Sequence, residues 1–172
     1  FLSHFKEEAG SDARYLSDLV RRMTGQPAYL DSSDLVDLRA LFNEGVHRSD
    51  VLVLLATKGV LTRPWCLLEL WEAALHGVPV VILPVERGGF DAAEARALLR
   101  NLEREMPSRN AACLATVMGH VRKQGVTNVR EVEDVLVTCR SGQPCRLWRA
   151  FPSACSSHTS GASKATGLVP LL

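Results

Sequence analysis

A chain of 172 residues, 47% hydrophobic and 23% charged, is long enough for one domain with its own core and too apolar to be disordered. A net charge of +1 gives no bulk attraction to nucleic acid or to an anionic membrane, so neither is expected as a partner. The longest apolar run, 78–85, contains two prolines and falls far short of the roughly 20 residues a membrane helix needs, and no stretch reads as a signal peptide.

In chain order, residues 1–5 read as the end of a first strand and 6–11 as a polar loop. Asp12 can cap a helix in which Ala13, Leu16, Leu19, Val20 and Met23 keep helical spacing, with Gly25 ending it and Pro27 preventing its resumption. Residues 28–30 form a short second strand, and 31–34 a polar turn. Residues 35–46 look helical, with Leu38, Leu41 and Phe42 inward and Gly45 or His47 near the end. The five branched apolar residues 51–55 then read as a strand buried on both faces.

Thr62 can cap the next helix, and Pro64 suits its first turn. Leu67, Leu70, Trp71, Ala74 and Leu75 make a core-facing stripe along that helix, whereas Trp65, Glu69, Glu72 and His76 share another face, on which Glu72 reads as solvated. Gly77 stops the helix. Residues 80–83 form a fourth strand, bracketed by Pro79 and Pro84.

Four strands alternating with three helices predict an α/β fold, a doubly wound parallel sheet with the flavodoxin-like order 2-1-3-4 and its switch point between the first and third strands. That topology gathers Ser3, His4, Phe5, Thr57, Lys58 and Glu69 at one cleft. After Pro84 the alternation stops. Asp91 with Glu94 and Asn128 with Glu131 look like capping pairs, and Asn110 like a further cap. Ala95, Leu98, Leu99, Leu102 and Met106 form one apolar stripe, Leu114, Val117 and Val121 a second, and Val132, Val135, Leu136 and Cys139 a third. Residues 113–118 are apolar enough for a fifth strand or a helix. The domain is expected over 1–140, with core motifs in 1–86 and a helical extension in 87–140. Residues 141–172, rich in Ser, Ala, Gly, Pro and Thr, read as a poorly ordered tail.

Five cysteines at irregular spacing describe no disulfide framework, so a reduced, cytoplasmic setting is expected. Neither a CxxC pair nor clustered histidines suggest zinc, and no metal is expected. Cys66 reads first as a small residue packed near a helix start.

The string Pro64-Trp65-Cys66-Leu67-Leu68-Glu69-Leu70, preceded by Ser49 and a strand, resembles the core of a Toll/interleukin-1 receptor (TIR) domain of the plant or bacterial type. Phe1-Leu2-Ser3-His4 resembles that family's first strand, and Tyr29-Leu30-Asp31 its second strand and following loop. The likeness covers about residues 1–86. It implies either cleavage of NAD+ at the nicotinamide–ribose bond in immune or stress signalling, or a non-catalytic module that assembles with other TIR domains. It implies homotypic self-association, with a neighbouring loop around Asp31 and Asp34 completing the site. By resemblance the catalytic carboxylate is Glu69, and the substrate contacts are expected among Ser3, His4, Phe5, Lys6, Ser33, Trp65 and Cys66. The glycine-rich phosphate loops of dinucleotide-binding and P-loop folds are absent, so NAD+ is expected as substrate and no cofactor is expected. A phosphate-transfer receiver domain would need an aspartate where Ala56 and Thr57 stand.

Overall fold

The computed structural model describes residues 1–30 and 41–137. Ser33, the 31–34 turn, residues 35–40 of the predicted 35–46 helix, Cys139 and the predicted tail lie outside the described residues, and the rest of that predicted helix is the π-helical turn Leu41–Val46. Strand β1 (Leu2–Ser3) pairs in parallel with β2 (Leu52–Ala56), and β2 in parallel with β3 (Val80–Pro84), giving a three-stranded sheet in the order β1-β2-β3. The register aligns Leu2 with Val53, Ser3 with Leu54, and Leu52 through Ala56 with Val80 through Pro84. The predicted second strand is reduced to a single parallel bridge between Leu30 and Leu2, so a four- or five-stranded sheet is not formed by the described residues. Residues 113–118 are helical.

Helices pack on both faces of β1 and β2, as short parallel crossovers require, while Val81 and Leu83 leave one face of β3 exposed. On one face, Leu2 and Leu55 pack with Ala9 and Ala13 of helix α1 (Lys6–Thr24). On the other, Leu52, Leu54 and Val80 join a larger core. Helix α2 (Pro64–His76) anchors that core, together with the helices that follow β3. These are α3 (Ala92–Arg100), the short α4 (Leu102–Glu105), α5 (Ala111–Val121) and α6 (Val129–Val137). Among the described residues no helix is long and apolar enough to cross a membrane.

Several expectations are corrected. The predicted loop 6–11 is helical: α1 begins at Lys6, with a break at Ala9 (φ −138°, ψ 18°). Its first turn forms because the Phe5 carbonyl accepts from the amides of Glu8 and Ala9, and Glu7 and Glu8 suit the positive end of a helix. The side of α1 that meets the sheet is Ala9, Ala13 and Leu16; Met23, which keeps the same helical spacing, is 77% exposed. Thr62 does not cap α2. Its hydroxyl donates to the Gly59 carbonyl within a 3-10 turn, Val60–Thr62, and Arg63 holds the N-cap position without a side-chain bond. Asn110 stands at the N-cap of α5 but spends its amide on the Thr62 carbonyl at 2.9 Å, tying α5 to the approach of α2.

The Asp91–Glu94 cap and the reciprocal Asn128–Glu131 pair form as their spacing predicts. Gly25 and Gly77 end α1 and α2 in the left-handed conformation that glycine adopts without strain.

Candidate active site

The site is built on α2, and α2 is buried on all sides: every residue from Cys66 to Ala73 is buried. The prediction of a solvated Glu72 on this face is therefore corrected. Glu69 is 2% exposed and Glu72 1%. Spacing correctly separates them from the Leu67–Trp71 stripe, but neither meets water. A buried carboxylate is stable only with partners, and the two find different ones.

Glu69 faces the end of β1. The buried Ser3 hydroxyl donates to its Oε2 at 2.5 Å across 66 residues of sequence. Three residues earlier on α2, the Cys66 thiol donates to the His4 carbonyl at 3.3 Å. The Arg63 guanidinium lies over the Phe5 ring, 3.6 Å from its centroid, a cation–π contact. Thus Ser3, His4 and Phe5 meet Glu69, Cys66 and Arg63 pairwise, and the carboxyl end of β1 is joined to the first two turns of α2. In an open parallel sheet this edge is where ligands bind. Burial lowers the pKa of His4, which favours its neutral ring. Ser3→Ala should destabilise the domain by about 1–3 kcal/mol, the cost of a buried acceptor losing a donor. Chemical denaturation checks this, and an unchanged midpoint would show that the bond contributes nothing.

The other predicted contacts are placed less closely. Lys6 is exposed at the start of α1, and Trp65 is 36% exposed at the start of α2. Thr57 and Lys58 line a depression with Leu61, Phe90, Asp91 and Arg109, on the β3 side of the β2 end. Sequence reasoning missed Glu8. Its carboxylate accepts from the Gly59 amide at 2.9 Å and so pins α1 to the loop between β2 and α2.

Glu72 faces away from β1. Its Oε2 lies 2.9 Å from His47 Nε2 and 3.5 Å from His76 Nδ1, and its Oε1 lies 3.2 Å from His120 Nε2 and 2.7 Å from the Gln124 amide, which donates to it. Burial pushes the Glu72 carboxyl up, but the hydrogen bonds from Gln124, His47 and His120 together hold it below its usual range. Histidines that look scattered along the sequence therefore converge on one carboxylate. The only local signal was the i,i+4 spacing of Glu72 and His76; His47 and His120 arrive by tertiary packing. The two cysteines among the described residues, Cys66 and Cys113, are buried thiols outside any disulfide, and burial pushes the Cys113 thiol up to about 11, far from a reactive thiolate.

No protein-family model, curated protein or solved structure matches this chain.

Proposed function

We propose that the chain is a TIR-type domain that cleaves NAD+ at the nicotinamide–ribose bond, with Glu69 as the catalytic carboxylate. The supporting observation is the position of Glu69: a buried carboxylate on the helix after the central strand, hydrogen-bonded to the end of β1 at the carboxyl edge of a parallel sheet. A four- or five-stranded flavodoxin-like sheet, in which Leu30 belongs to the second strand, is part of the same proposal, as is a cytoplasmic role in immune or stress signalling. Ser3, His4, Phe5, Lys6, Ser33, Trp65 and Cys66 are the proposed substrate contacts.

The chemistry needs one fixed anion. As the C–N bond breaks, its electron pair neutralises the pyridinium and nicotinamide leaves as a neutral molecule. The ribose becomes oxocarbenium-like, and a carboxylate held beside it stabilises that charge. Water then adds to the ribose carbon and gives up a proton. Because the leaving group needs no protonation, no second acid is required. NAD+ is consumed as a substrate.

A second reading, a non-catalytic module that binds other TIR domains, is favoured by the 2% exposure of Glu69, since substrate must gain access to a carboxylate that Ser3 already occupies. Nicotinamide release from NAD+ by concentrated protein separates the two. On the catalytic reading, specific activity rises with protein concentration before levelling off, as expected for a site completed by self-association. Constant specific activity from a protein that stays monomeric by light scattering would remove self-association from the proposal. No release at any concentration would leave the interaction module.

A further inference from the structure

We infer that His47, Glu72 and His76 form a binding site for one divalent transition-metal ion of the zinc type, with His120 at its edge. The site is independent of the proposed NAD+ chemistry. One ligand atom from each of the three residues lies within 4.8 Å of the other two. In a tetrahedral zinc site with bonds of about 2.0–2.2 Å, neighbouring ligand atoms are roughly 3.3–3.6 Å apart. Here His76 Nδ1 is 3.5 Å from a Glu72 oxygen, within that range, while His47 Nε2 is 2.9 Å from the same oxygen, a hydrogen-bond distance that must open slightly to admit the ion.

The donor set selects the metal class. Two or three imidazole nitrogens and one carboxylate suit zinc, cobalt, nickel or copper, whereas calcium and magnesium take oxygen ligands. The surroundings hold the donors in place. The His47 and His76 rings stack at 3.6 Å between centroids, and the Phe42 ring meets His120 edge-on at 4.9 Å. Gln124 bonds the carboxylate oxygen on the side away from His47. Glu72 is buried, while the His76 side chain is 41% exposed, which leaves a way in from solvent.

Ligation at His47 Nε2 and His76 Nδ1 needs those nitrogens without a proton, the other nitrogen of each ring then carrying it. His76 Nδ1 also lies 3.0 Å from the Glu72 carbonyl, so ligation there replaces that contact. Binding involves no redox step. The ion would clamp α2 to the turn that follows the π-helical segment Leu41–Val46 and, through His120, to α5.

The test uses the full chain, stripped with a chelator and titrated with Zn2+ by competition against a chromophoric chelator, and with Co2+ by visible absorption. The expected result is one equivalent bound, a rise in melting temperature with Zn2+, and Co2+ bands of nitrogen and oxygen ligation without a thiolate charge-transfer band. His47→Ala and His76→Ala should each weaken binding at least about tenfold and abolish the zinc-dependent rise in melting temperature, while Glu69→Gln should bind like wild type. If His47→Ala does not fold, His76→Ala at the exposed edge carries the test. The site is refuted if wild type binds no Zn2+ or Co2+ at micromolar concentration. A thiolate band, or binding undiminished in His76→Ala, would equally place the metal elsewhere and overturn it.

Discussion

Glu69→Gln should lower nicotinamide release from NAD+ by about 100- to 1000-fold, the ~3–4 kcal/mol that a preorganised electrostatic group contributes to a transition state. On the proposed mechanism, the substitution keeps the side chain's shape and its reach to Ser3 but removes the charge that stabilises the developing oxocarbenium. The buried position of Glu69 refines the expected effect on folding. The Ser3 hydroxyl can still donate to the amide oxygen of the substituted side chain, so the change replaces a bond to a carboxylate by a bond to an amide, a difference of about 1 kcal/mol. The melt should therefore shift slightly while activity is nearly lost. Product analysis by mass, on protein matched for melting temperature, checks this. If Glu69→Gln keeps more than about a tenth of wild-type activity, an effect below 1.4 kcal/mol, Glu69 is not the catalytic carboxylate.

Local signals carried much of the fold. Strands β2 and β3 follow from runs of branched apolar residues. The limits of α2 follow from Pro64 and Gly77, and the starts of α3 and α6 from the pairs Asp91–Glu94 and Asn128–Glu131. These features depend on residues within one turn of each other, which spacing alone records. The early start of α1 was not legible, because Lys6 to Ser11 is polar and only the Phe5 carbonyl and the Glu8–Gly59 bond reveal the turn. Nor was the bridge at Leu30, whose apolar neighbours suggest a full strand although only one pairing forms among the described residues. Caps at Thr62 and Asn110 failed for a related reason. Each side chain can satisfy a carbonyl outside its helix, and the sequence does not rank the two choices.

The site divides in the same way. Spacing places Glu69 and Glu72 off the apolar stripe of α2, and the strand order brings Glu69 to the end of β1. What covers the remaining surface of α2 is decided by α5 and the turn holding His47, elements far away in sequence. Hence a face that looks solvated is buried, and two carboxylates one turn apart acquire separate surroundings. Glu69 accepts from the Ser3 hydroxyl at the end of β1. Glu72 is enclosed by three imidazoles and an amide, in the arrangement expected of a group that holds elements together.

Glu72→Ala should therefore be the more damaging change to stability, costing about 3–5 kcal/mol, as when one partner of a buried polar cluster is removed and the others stay. His47, His120 and Gln124 would each lose the same acceptor at once, and the lost side chain would leave a cavity between α2 and α5. Against a total stability of about 5–15 kcal/mol for an ordinary domain, that is a large fraction. Glu72→Gln should cost less, about 1–3 kcal/mol, because one oxygen still accepts while the new amide group faces another donor. Denaturant titration of metal-free protein at neutral pH compares the two with wild type, and the slopes should stay equal if only the folded state changes. On the reading of Glu72 as an exposed helix residue, both variants would fall within about 0.5 kcal/mol of wild type. An Ala variant that close to wild type would show that the histidine cluster contributes no net stability, whereas an ordered loss, Ala greater than Gln, identifies Glu72 as the acceptor on which α2, α5 and the His47 turn converge.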